Sequence, residues 1–247
     1  MKIFTFEILL YCCVASQASI SWRRRTPPSE NFSKRQISKN LGPLQVKYGQ
    51  ITFDAEGNDI PTSRYFSRKP HVPNSASGIT IGRGYDLKHR SQTQVYSDLS
   101  GIGLSRAIAR AFSKGVHLTG QTARNFLKRN NLQSSVITHE QQKKLFYIAY
   151  DPIAADARRL ATKPDVQRAY GRTNWALLNN AIKDVVVDLR YRGDYTPTTR
   201  RMIQRAIVAN DLQKFTLLMS DSNYWLNTIR VPRDRFLRRK NALIHAG

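Results

Sequence analysis

Apolar residues recur every three or four positions beyond about residue 91, whereas before it they fall in short pieces broken by Gly, Pro, Asn and Ser. The first pattern is that of helices with one buried face; the second suits a small lobe of loops and strands. Trp175, Leu178, Ile182, Val185, Val186 and Leu189 make a buried-helix stripe that Gly193 closes. Thr138-His139-Glu140-Gln141 starts a helix with a capping box and carries Leu145, Ile148 and Ala149; Asp151-Pro152 is expected to break or kink it. Thr196-Pro197 opens a helix through Met202, Ile203 and Ile207, Asp211 caps a short one, and Val231-Pro232 opens an arginine-rich last one. Between Val46 and Leu87, Val46-Lys47-Tyr48, Ile51-Thr52-Phe53 and Ile79 to Ile81 read as short strands, the last running into a glycine turn. The expectation is one α+β domain, predominantly helical, over residues 45–247: a small β-containing lobe followed by a larger helical lobe.

The preceding segment reads differently. Lys2, the apolar run Ile8 to Val14 and the small residues Ser16 and Ala18 make residues 1–18 a signal peptide in expectation, the apolar run being too short for a membrane span. Both cysteines, Cys12 and Cys13, leave with it, so the mature chain holds no disulfide. Residues 19–44, with Arg23-Arg24-Arg25 and Pro27-Pro28, read as a basic flexible arm, and Asn31-Phe32-Ser33 is a glycosylation sequon. A secreted, extracellular protein is expected.

Forty Lys and Arg against seventeen Asp and Glu give a net charge of +23, and removal of Lys2 and Glu7 leaves it unchanged. Such a field attracts polyanions. For an exported chain the expected ones are anionic bacterial envelope polymers; no module that reads a specific nucleic acid is recognisable. The five histidines show no ligand spacing and the cysteines are gone, so neither metal nor cofactor is expected. A monomer is expected.

Glutamate is scarce: Glu7, Glu30, Glu56 and Glu140 are the four in the chain. Glu7 falls in the leader, Glu30 in the arm, and Glu140 is ordinary first-turn helix charge. Glu56, beside Phe53, Ala55 and Gly57, has no evident structural task; a partly apolar cleft would raise its pKa and make it a general acid. The stretch Ser77-Gly78-Ile79-Thr80-Ile81-Gly82-Arg83-Gly84-Tyr85-Asp86-Leu87 offers Thr80 and Asp86 within one turn. Two carboxyl roles on opposite faces of a sugar are what glycoside hydrolysis needs. On spacing alone the favoured reading is the plainer one: Glu56 and Asp86 are surface turn residues and the glycines merely make a hairpin. A phosphate loop is disfavoured, since no Lys-Ser/Thr follows and no βαβ pattern surrounds the stretch.

Phe53-Asp54-Ala55-Glu56-Gly57 followed by Thr80-Ile81-Gly82-Arg83-Gly84 resembles the Glu-Gly and Thr-Ile-Gly-x-Gly signatures of the phage-type lysozyme superfamily. With Tyr85 and Asp86 it is most similar to the muramidase domain of pesticin. Asp184 to Arg192 resembles the family's helix ahead of the cleft, and Val231-Pro232-Arg233 with Arg235, Arg238 and Arg239 its C-terminal arginine helix, so the likeness spans about residues 46–247. It implies a lysozyme-like fold and a muramidase cutting the β-1,4 bond between N-acetylmuramic acid and N-acetylglucosamine in bacterial peptidoglycan. It implies Glu56 as general acid, Thr80 at the cleft, and Asp86 positioning water or stabilising charge. Gly82, Arg83, Gly84 and Tyr85 would form the substrate-cleft loop. The aspartate that T-even enzymes carry six residues before the threonine is here Asn74, and Asp54 or Asp59 are alternatives to Asp86. The competing expectation is a non-catalytic cationic protein that binds envelopes or disrupts membranes.

The remaining features are read as structural. Arg192-Gly193-Asp194 spells an adhesion tripeptide that a helix end explains, the arginines from Arg230 to Arg239 read as a solvated face or an anion contact, and Trp175 reads as core.

Overall fold

The structure, a computed structural model, describes residues 44–247. The expected leader, the sequon at Asn31 and all of the expected arm but Leu44 lie outside the described residues.

The chain enters through Gly49, whose φ of 74° is left-handed, and forms helix α1 over Gln50–Ala55. Ile51-Thr52-Phe53 is therefore helical, not a strand, and Val46-Lys47-Tyr48 is irregular. β-propensity yields here to packing: all three residues are buried, which a strand with one solvated face does not achieve. Phe53 meets Phe146 edge-on at 5.0 Å, and the Thr52 hydroxyl donates to Asp188 at 2.9 Å. Strands β1 (Thr80–Ile81) and β2 (Tyr85–Asp86) pair antiparallel, Thr80 opposite Asp86 and Ile81 opposite Tyr85.

Helices follow: α2 (Gln92–Gly101), α3 (Arg106–Ser113), α4 (Gly120–Arg129), α5 (His139–Thr162), α6 (Pro164–Tyr170), α7 (Asn180–Arg192), α8 (Pro197–Ala209), α9 (Leu212–Met219), a π-helical turn over Asn223–Thr228, and α10 (Arg233–Ile244). The architecture is α+β and predominantly helical. The capping boxes at Thr138/Gln141 and Thr196/Thr199 start α5 and α8, the Asp211 carboxylate caps α9, and Gly193 ends α7 in the left-handed region. Pro152 does not break α5, which runs on for 24 residues in all. The proline sits on the exposed side, while Phe146, Tyr150 and Ala157, buried to either side of it, hold the rod in the core.

Two apolar cores share that rod. Ile79, Ile81, Tyr85 and Leu87 of the hairpin region pack with Val95, Leu99, Phe112, Leu127 and, from α5, Leu145. Phe53 of α1 packs with Phe146 and Tyr150 of α5 and with Ile182, Val186, Ile203, Phe215, Trp225 and Phe236. The hairpin thus belongs to one core and α1 to the other. Among the described residues no helix is long and apolar enough to cross a membrane.

Candidate active site

Glu56 is the residue at which α1 stops. Its backbone N–H still reaches Thr52, and Gly57 follows at φ 151° with Ser67 packed where a Cβ would stand, so the chain turns sharply there. The Glu56 side chain is 24% exposed, and its Oε1 accepts from Arg235 Nη1 at 3.0 Å. Burial pushes its carboxyl up from the ordinary range; the charge and hydrogen bond of Arg235 pull the other way without cancelling it. The group therefore has a surrounding that favours its protonated form and a cation placed to receive the anion once the proton leaves.

Arg235 is itself held from below. Asp188, fully buried on α7, accepts from Arg235 Nη2 at 2.6 Å and Nε at 3.1 Å, from Arg239 Nε at 2.6 Å and from Thr52. Arg239 passes on to Asp194, whose Oδ2 accepts from both of its terminal nitrogens at 3.0 Å. Burial pushes the Asp188 carboxyl up, but the two guanidiniums outweigh it and hold it below the usual carboxylate range. The sequence reading of the last helix as a solvated basic face is thus corrected for Arg235 and Arg239, which lie on its inner side; Arg238 is exposed. Asp194 of the Arg-Gly-Asp tripeptide is buried in the same network.

The glycine loop meets α1 through Arg83. Its Nη1 donates to the Phe53 carbonyl at 2.8 Å and to Asp54 at 3.3 Å, its Nη2 to Asp59 at 2.6 Å, and its guanidinium lies 3.7 Å from the centre of the Phe53 ring. Arg83 is a strut between the two segments that carry the Glu-Gly and Thr-Ile-Gly-x-Gly signatures. Its side chain, expected to line a cleft, is buried instead, and so is that of Tyr85, whose hydroxyl donates to Asp98 at 2.7 Å beneath Arg90. Arg83 in the turn is drawn inward by Asp54 and Asp59, and Tyr85 by its strand position and Asp98. Gly82 and Gly84 take φ of 63° and 90° in the three-residue turn. At Gly84 a Cβ would stand 1.8 Å from the Tyr191 hydroxyl of α7, so only glycine lets the hairpin tip approach that helix. The Tyr191 phenol is pushed up by burial and then by the Glu56 charge, which ties all three segments to one locus.

Thr80 is buried. As the cross-strand partner of Asp86 it shares a face with it. The Asp86 carboxylate accepts from the amides of Gly78 at 3.3 Å and Lys88 at 2.7 Å, one to each oxygen, so it also ties the hairpin base. Asn74 works as a turn residue, its Oδ1 accepting from Ala76 and Ser77. Asp59 is engaged by Arg68 and Arg83 together, and Asp54 by Arg83.

The sequence reading missed Asp188, Tyr191 and the inner arginines. One signal was present: Asp188 is an acidic residue inside the stripe Val185-Val186-Val187-Leu189, where only a partnered charge is tolerated.

The fold and this locus define an α+β chain with a half-buried, arginine-braced glutamate at a helix end. A family described as Domain of unknown function (DUF8812) matches residues 49–240, so the chain belongs to that family. No curated protein matches the chain.

Proposed function

We propose that the protein is a muramidase with a fold of the phage-type lysozyme superfamily, similar to the pesticin muramidase domain, that hydrolyses the β-1,4 bond between N-acetylmuramic acid and N-acetylglucosamine in bacterial peptidoglycan. The observation that carries this reading is the state of Glu56: raised by burial, backed by Arg235, and linked through Arg83 and Tyr191 to the hairpin that bears Thr80 and Asp86. Glu56 gives its proton to the glycosidic oxygen, and the C–O bond breaks with its electron pair on that oxygen. Water then adds to the anomeric carbon from the other face, held by the Thr80 hydroxyl, and passes a proton to Asp86. Each Asp86 oxygen keeps lone-pair capacity beyond the single amide it accepts. Arg83 and Arg235 are positioning residues. The protein acts as a secreted bacteriolytic, antimicrobial monomer, drawn to anionic envelope polymers by its net charge of +23.

Release of reducing ends from purified peptidoglycan by the wild type and by Glu56→Gln tests it. Activity in the wild type that is lost in a folded Glu56→Gln variant is the expected result; activity retained by the variant overturns the assignment of the acid.

One observation favours a second reading. Asp86 and Asn74 both serve their own loop's amides, as they would in a protein that keeps the fold for its cationic surface alone and binds or disrupts bacterial envelopes without chemistry. In that case killing survives Glu56→Gln and is suppressed by salt.

A further inference from the structure

A cavity of about 520 Å³ opens between the end of α5, α6 and the segment after it, and shares no residue with the Glu56 locus. That volume is within the usual range of small-molecule sites. Its walls carry two cations and no carboxylate. Arg158 and Arg172 are exposed and make no ion pair among the described residues, whereas the neighbouring Arg159 and Arg190 are both taken by Asp156. At the floor, Thr173 is 4% exposed and accepts from Gln204 Nε2 at 3.3 Å, which leaves its own O–H to give. Gln204 is fixed in turn by the Tyr195 hydroxyl at 2.6 Å. Trp175, read from the sequence as core, is only partly buried and forms another wall. Gln167 spends its amide nitrogen on the Thr162 carbonyl and keeps its oxygen as an acceptor.

We propose that this cavity is a second binding site, for a phosphorylated saccharide. Two free guanidiniums and a buried hydroxyl donor suit the terminal oxygens of a phosphate, which accept charge-assisted hydrogen bonds most strongly from arginine forks. The Trp175 ring offers a flat apolar face to a sugar ring, and the Gln167 oxygen accepts from its hydroxyls. The two guanidiniums, with no lining carboxylate to offset them, disfavour a cationic ligand. The inference stands independently of the role of Glu56.

Calorimetric titration of the full chain with glucose 1-phosphate, inorganic phosphate and glucose tests it. Glucose 1-phosphate is expected to bind at one saturable site, more tightly than phosphate, with no binding of glucose. Arg158→Ala/Arg172→Ala should weaken it about tenfold or more. Lys128→Ala/Arg129→Ala removes the same charge from the exposed end of α4 and should leave the affinity unchanged. An equal loss in both double variants would mean diffuse charge attraction and overturns the site, as does the absence of saturable binding by the wild type. Equal affinity for phosphate and glucose 1-phosphate overturns the saccharide part. Nitrogen-15 spectra of the wild type give a reading that needs no variant: the Trp175 indole signal should shift on titration while that of Trp225 stays, and the reverse places the ligand elsewhere.

Discussion

Replacing Gly84 by alanine tests the contact on which the assembled locus depends. The residue has φ 90°, and its new methyl group would stand 1.8 Å from the Tyr191 hydroxyl. Two costs follow. Left-handed backbone in a residue with a side chain costs about 1–3 kcal/mol. Reaching ordinary contact, 3.4 Å or more, requires the hairpin tip and Tyr191 to part by about 1.6 Å, and overpacking of that kind costs about 1–3 kcal/mol. Gly84→Ala should therefore lose about 2–6 kcal/mol in all. Tyr191→Phe deletes the offending oxygen, after which the nearest atom is the ring carbon at 3.1 Å, a shortfall of a few tenths of an ångström. The double variant should thus recover most of the packing part and none of the backbone part, a coupling of about 1–3 kcal/mol. Urea unfolding of the wild type, both single variants and the double variant measures it. Effects that add to within about 0.5 kcal/mol would refute the contact, since independent sites behave that way. If the proposed chemistry holds, peptidoglycan hydrolysis should fall in Gly84→Ala and return in part in the double variant.

Arg83→Met keeps an unbranched apolar stem and removes the guanidinium; it leaves the Phe53 carbonyl unpaired and Asp59 with Arg68 as its remaining close arginine. A loss of about 3–5 kcal/mol is expected from breaking such a buried pair, seen as a lower urea midpoint. Asp188→Asn removes the carboxylate that two buried guanidiniums share, leaving Arg235 with Glu56 and Arg239 with Asp194, and should cost about 3–5 kcal/mol at neutral pH by thermal unfolding. The same variant tests a pH effect. Because Asp188 is held below its ordinary pKa, the stability it contributes is complete above about pH 4 and is lost as the pH falls through the lower folded-state value, so the wild type should weaken across that window more steeply than Asp188→Asn.

The helical part of the chain was legible because its signals are local. A capping box at Thr138, a Thr-Pro start at Thr196 and a left-handed glycine at position 193 each act within one turn, and each begins or ends an element where the pattern placed it. The glycine hairpin was legible for the same reason. Where local signals misled, a distant partner had decided. Ile51-Thr52-Phe53 has strand-forming residues but becomes helix because Phe146 and Asp188, far along the chain, receive Phe53 and Thr52 on one helical surface. Pro152 announces a break that the cores on either side of it do not permit.

For the candidate site the division is similar. The scarcity of glutamate singled out Glu56, and spacing placed Thr80 and Asp86 on one turn. Which way a side chain points was not available to spacing. Arg83 and Tyr85 were placed at a cleft surface and instead turn inward, because Asp59, Phe53 and Asp98, brought there by folding, offer anions and an aromatic face. The sequence by itself determined the elements and the supply of acids and bases. Only the tertiary structure decided that Arg235 and Arg239 are buried while Arg238 faces water, since on a helix that choice follows from which face meets Asp188, and burial of a guanidinium is tolerated only where a carboxylate waits for it.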